Sequence, residues 1–125
     1  MKKLSKKIAT IRITDLKIST LIGINDWERT QEQEIMFNIR MEYDASKAIS
    51  SDSLQQALDY KTLKLKIIDF VQKSHFGLLE KLTQEVLNLI MMDKRILKAT
   101  VQIDKPNALR FARSVSVEMS NSRSK

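Results

Sequence analysis

The chain has 125 residues, 42% of them apolar and 30% charged, which suits one globular domain and is too short for two. It carries no cysteine, one histidine and a net charge of +7, so disulfides, thiolate zinc sites and a cysteine nucleophile are excluded and a histidine-based metal site is not expected. No apolar run approaches the ~18 to 20 residues that cross a bilayer, and the basic start MKKLSKKIATIRI lacks the apolar core and cleavage site of a secretory signal, so the expected home is the cytoplasm. The positive charge is uneven. Lys2, Lys3, Lys6, Lys7, Arg123 and Lys125 lie in the two ends, read here as flexible basic tails at about 1–7 and 121–125 of a single domain spanning 1–125. The body between them is nearly neutral and has no stripe of aromatic and basic residues, so neither nucleic acid nor membrane is the expected partner.

In chain order, Ile11 and Ile13, then Leu16, Ile18 and Ile22, alternate as in a strand, but the apolar phase changes between Ile13 and Leu16. A bulge around Thr14 and Asp15 accounts for the change. After the loop GINDWERTQEQ comes a second strand, with Ile35, Phe37, Ile39, Met41 and Tyr43 on one face and Met36, Asn38, Arg40 and Glu42 on the other. The segment DASKAISSDSLQQALD is polar and turn-rich. Asp59 can cap a helix starting at Tyr60, in which Leu63, Ile67, Phe70 and Val71 keep helical spacing. A second helix opens near Gly77 and buries Leu79, Leu82, Val86, Leu89 and Ile90. Leu97, Ala99, Val101 and Ile103 form a third strand, and Val115, Val117 and Met119 a fourth. The order β-β-α-α-β-β predicts an α+β domain, an antiparallel sheet with two helices on one face. Its two open edges predict association through the sheet.

No generic catalytic motif is present: the chain has two glycines, no phosphate loop, no nucleophile elbow and no metal-ligand cluster. Four polar residues stand at element ends, where side chains can converge: Glu28 in the first loop, Tyr60 at a helix start, Glu80 in a first helical turn, and Lys105 where the third strand stops before Pro106, the only proline. Each also has a plainer reading. A strand-end lysine is usually solvated, an acid in a first helical turn is favoured by the helix dipole, and Tyr60 and Glu28 read alone as a core tyrosine and a loop charge.

The stretches LIGINDWERTQEQEIMFNI, ALDYKTL, FGLLEKLTQEVL and IDKPNALRFARSVSV, in that order, resemble the dihydroneopterin aldolase family over about residues 9 to 120. Within it, ALDYKTL, LLEKLTQEVL and DKPNALRFARSVSV are most similar to the dihydroneopterin triphosphate 2'-epimerase branch, while NDWERTQEQ resembles ordinary aldolases equally. The resemblance implies the tunnelling fold (T-fold), four subunits closing their sheets into one barrel, two such rings forming a homo-octamer, and active sites between neighbouring subunits. It implies a pterin substrate, no cofactor and no metal. Glu80 would anchor the pterin by accepting two parallel ring donors, with Leu78 and Leu79 in the pocket. Lys105 would transfer a proton near N5, with Pro106 stiffening the chain after it. Tyr60 would move a proton at the substrate side chain, directly or through water, and Glu28 would order that water or pair with Lys105.

Cleavage between C1' and C2' leaves electrons that the substrate's own N5=C6 imine absorbs, so what is required is a proton donor near N5 and a base for the 2'-hydroxyl. Arg110 and Arg113, in the short loop after Lys105, would hold a triphosphate by forked hydrogen bonds, or else are exposed hairpin charges. The reading placed first is epimerisation of dihydroneopterin triphosphate at C2', with some aldolase activity. Behind it stand the aldolase proper, giving 6-hydroxymethyl-7,8-dihydropterin and glycolaldehyde, and a pterin- or nucleic-acid-binding module without turnover.

Overall fold

The fold was obtained as a computed structural model that describes residues 5–123, so Lys2, Lys3 and Lys125 lie outside the described residues. In chain order come β1 (Ile8–Ile22), β2 (Gln33–Asp44), a short α1 (Ser46–Ser51), α2 (Tyr60–Gln72), β3 (His75–Phe76), α3 (Leu79–Met91), β4 (Ile96–Pro106) and β5 (Ser114–Ser122), with 3-10 turns at Asp26–Arg29 and Leu54–Gln56. The strands lie in the order β3-β1-β2-β4-β5. All pairings are antiparallel except that of β3, which runs parallel to the end of β1 through Leu21–His75 and Ile22–Phe76.

The expected bulge is present. Ile13 faces Ile39 and Leu16 faces Phe37, so Thr14 and Asp15 together oppose Asn38. Asp15 takes a left-handed φ of 56°, a conformation that costs a non-glycine residue energy. Its N–H donates to Asn38 Oδ1 at 3.0 Å and Asn38 Nδ2 donates back to Asp15 Oδ1 at 3.2 Å, which offsets that cost. The extra residue restores phase, so Ile11, Ile13, Leu16, Ile18 and Ile22 all face the core row of β2, where Ile35, Phe37, Ile39, Met41 and Tyr43 are buried.

The α+β expectation holds, with α2 over β1 and α3 over β4 and β5. One detail differs inside the helices. Leu87 is buried while Leu89 is only partly so, because the buried positions of α3 step as Leu79, Leu82, Thr83, Val86, Leu87 and Ile90. Phe70 keeps the expected helical spacing, is partly buried and packs obliquely on Phe76, ring centres 6.3 Å apart. The alternate residues of the sheet, among them Arg12, Arg40, Gln102 and Glu118, form its polar second face. Asn121 and Ser122, read as the start of a tail, continue β5, and Arg123 is anchored: its guanidinium donates to the carbonyls of Ile96 at 2.9 Å and Asp93 at 3.1 Å, and to that of Met91. Among the described residues no helix is long and apolar enough to cross a membrane.

Candidate active site

The end of β1, the start of β2, the end of β4 and the start of α3 meet at one end of the sheet. The alternation of Ala99, Val101 and Ile103, all buried, carries Lys105 onto the same helix-covered face. There the cover thins, and its side chain keeps 15% exposure. Its ammonium donates to Oε2 of Glu28, 77 positions away in sequence.

Glu28 sits in the 3-10 turn of the first loop and is 4% exposed. Asn25 and Glu28 form a capping box, and Oε1 of Glu28 accepts from the Asn25 N–H at 3.2 Å and from Asn25 Nδ2 at 2.9 Å. Oε2 accepts from Gln33 Nε2 at 3.2 Å as well as from Lys105. A carboxylate offers about four acceptor positions, and these four donors, Lys105 among them, occupy them. The ammonium's hydrogen bond is the main reason the Glu28 carboxyl is held down at about 2. Burial opposes this, and the Asn25 and Gln33 hydrogen bonds assist it.

Gly23 supports the carboxylate from below. It has φ 132°, its N–H donates to the Phe76 carbonyl at 3.1 Å, and a Cβ there would stand 2.2 Å from Glu28 Cδ. Only glycine fits both the backbone and the contact. On the side of Glu28 opens a cavity of about 260 Å³ lined by Leu21, Gly23, Glu28, Arg29, His75, Phe76 and Gly77. Both glycines of the chain are on its wall.

The other sequence-predicted residues divide into two groups. Leu78, Leu79 and Glu80 follow directly on the cavity's Gly77: Leu78 is exposed, Leu79 buried, and Glu80 is exposed in the first turn of α3, with no side-chain hydrogen bond or ion pair among the described residues. Arg110 and Arg113 lie in the loop that joins β4 to β5, both exposed, with the Arg110 guanidinium 5.7 Å from the centre of the Phe111 ring. Tyr60 is elsewhere. The last turn of α2 is tied to β1 by Thr20 Oγ1 donating to the Val71 carbonyl at 2.7 Å, whereas the chain just before its first turn is tied to the start of β4 by Arg95 donating to the Ala57 carbonyl at 2.7 Å. Lys105 is at the far end of β4, roughly 30 Å of strand from Arg95 at ~3.3 Å per residue. One chain therefore joins Glu28 to Lys105 and leaves half-exposed Tyr60 at the opposite end.

Gly23, Asn25 and Gln33 escaped the sequence reading. The spacing Asn-Asp-Trp-Glu, which has a capping residue three positions before an acid, was a usable signal for Asn25. Nothing local marks Gln33, whose role depends on strand pairing.

The family model for dihydroneopterin aldolase matches residues 11–120. A dihydroneopterin triphosphate 2'-epimerase of Pseudomonas aeruginosa is 39% identical over 98% of this chain and 100% of its own length, and one of Escherichia coli is 41% identical over 94% and 98%. The crystal structure of Escherichia coli dihydroneopterin aldolase in complex with neopterin superposes with a TM-score of 0.86 at 30% identity, covering 91% of this chain and 99% of that one. The likeness in sequence and in fold runs along nearly the whole length, and the chain belongs to the dihydroneopterin aldolase family.

Proposed function

We propose that the protein is a dihydroneopterin triphosphate 2'-epimerase with accompanying dihydroneopterin aldolase activity. The observation that carries this reading is the shielded Glu28–Lys105 pair, with Glu28 on the wall of a cavity. It is an ammonium held at a defined place, as protonation of the pterin N5 requires. A base takes the 2'-hydroxyl proton, the C1'–C2' bond breaks, its electrons form C1'=C6, and N5 takes a proton from Lys105. The aldehyde fragment then turns its other face and adds back, N5 returns its proton, and C2' is inverted. If the fragment leaves instead, protonation at C1' completes an aldolase turnover. The substrate is its own electron sink.

In this reading Glu80 accepts the two ring donors of the pterin, flanked by Leu78 and Leu79. Tyr60 acts on the side-chain hydroxyl from a second copy of the chain, as its distance from Lys105 supports. The edge of β1 ahead of its short pairing with β3, and the edge of β5, are where sheets of neighbouring copies would pair, in rings of four and a homo-octamer. Epimerisation is placed ahead of cleavage because the identity to the two epimerases exceeds that to the aldolase of known structure, and because Arg110 and Arg113 follow Lys105 closely enough to meet a triphosphate.

Incubation with dihydroneopterin and with its triphosphate, followed by oxidation and chromatography of the pterins, tests the assignment. An inverted C2' product from the triphosphate is expected as the main species. Predominant 6-hydroxymethyl pterin from both substrates would make it an aldolase proper. Changing Arg110 and Arg113 together to Ala should raise KM for the triphosphate and barely alter that for dihydroneopterin, and high salt, with a Debye length of ~3 Å at 1 M, should mimic the change. Equal losses on both substrates would remove the triphosphate role.

A further inference from the structure

Three rows of the sheet end in polar groups at the same place. In β2 the core row of Ile35, Phe37 and Ile39 is preceded by Gln33, and in β4 the row of Ala99, Val101 and Ile103 is followed by Lys105. The Ile22 carbonyl closes β1 beside them. Glu28 from the connecting loop lies among the three.

Gln33 is half-buried, and its Nε2 donates twice, to the Ile22 carbonyl at 2.8 Å and to Glu28 Oε2 at 3.2 Å. Both amide hydrogens therefore have acceptors. The opposite amide orientation would set an oxygen against two oxygens, so the hydrogen-bond network selects this one. The contact is on the oxygen that also receives Lys105. Asn25 binds only the other oxygen, and does so within the local turn. Gln33 is thus the group that links the carboxylate's working oxygen to the rigid end of β1.

We propose that Gln33 is a positioning residue that aims the Glu28 carboxylate, and through it the Lys105 ammonium, at the site of proton transfer. This rests on the role given to Lys105 above. Placement errors near 1 Å can cost about 10²-fold in rate, so the tether has a kinetic consequence without touching substrate. A glutamine tie of this kind should influence turnover and leave pterin binding, assigned to Glu80, alone.

The test is a set of variants assayed by single-turnover chromatography with enzyme in excess, together with equilibrium pterin titration and thermal melting. Gln33→Met keeps length and removes both donors. It is expected to slow turnover about tenfold with pterin affinity and fold retained, and in a Glu28→Gln background to change the rate less than about twofold, since sites acting through one another are non-additive. Gln33→Glu, which turns the donor into an acceptor against Glu28, should be slower than Gln33→Met.

Unchanged turnover in Gln33→Met, an equal further loss in the Glu28→Gln background, or affinity and melting falling together with the rate would each overturn the proposal. Lys105→Ala, run alongside, separates the two levels. If it keeps its turnover, the proton-transfer reading falls and the role of Gln33 with it; if it is inactive while Gln33→Met is not, only Gln33 is refuted.

Discussion

At the scale of single residues, the charge on Glu28 is the most strongly perturbed feature of the site. Its carboxyl is lowered from the usual 4.5 to about 2, first by Lys105. A group whose folded pKa is depressed adds stability that is complete above its unfolded value and disappears as pH falls through the folded one. The Glu28 contribution should therefore be full above about pH 4.5 and fade between there and about pH 2. Urea denaturation midpoints measured across this window should fall less steeply for Glu28→Gln than for the parent protein. Parallel curves would mean that the pair does not couple to folding. For Lys105 itself the consequence is kinetic: Lys105→Ala should lower kcat by roughly 10²-fold or more with folding intact, and a folded variant turning over normally would take the lysine out of the chemistry. The parity of Ala99, Val101 and Ile103, which puts Lys105 on the core face, was a usable signal in the sequence, although Lys105 by itself reads there as a solvated strand-end lysine. Its partner could not be read that way, because Glu28 reaches it from a loop 77 positions earlier.

The helix starts show how local chemistry sets an element. Asp59 Oδ1 accepts from the Thr62 N–H at 3.1 Å and Oδ2 from the Thr62 hydroxyl at 2.8 Å, which fixes the first turn of α2 and thereby Tyr60. Asp59→Ala should destabilise the fold by about 0.5 to 2 kcal/mol, the range for lost N-caps, measured by chemical denaturation. A change below this range would show that tertiary packing alone holds the helix start. The cap and both long helices were legible because each combines a capping residue or apolar spacing with enough length to reveal a period. Two elements were not. α1 is six residues of mostly serine and lysine with no buried member, so it shows no apolar stripe. β3 is two residues long and exists only because Leu21 and Ile22 are there to pair with. No periodicity can be read from two residues.

For the whole molecule, the decisive fact is that Glu28 and Lys105 lie at one end of the sheet and Tyr60 at the other. If the site is completed between copies, Tyr60→Ala and Lys105→Ala variants, each inactive alone, should regain activity when unfolded and refolded together. Random mixing at equal amounts leaves about one site in four with both intact residues, as expected for a symmetric interface. Absence of any recovery, with mixed oligomers shown to form, would mean that Tyr60 and Lys105 do not share a site.

What the sequence alone determined were features written in short-range pattern: the strand and helix periods, the bulge where the apolar phase slips after Ile13, the cap at Asp59, and the family motifs that flank Glu28, Tyr60, Glu80 and Lys105. Only the tertiary structure decided which of these meet. Strand pairing brings Gln33 and the Ile22 carbonyl to the Glu28 carboxylate, the β2–β4 register carries Lys105 to the same end, and Gly23 leaves room for the carboxylate where any Cβ would collide with it. The physical reason is range. Periodicity and capping act over three or four residues, whereas a buried carboxylate must be paired and hydrogen-bonded, and the cation that pairs with Glu28 comes from 77 positions away.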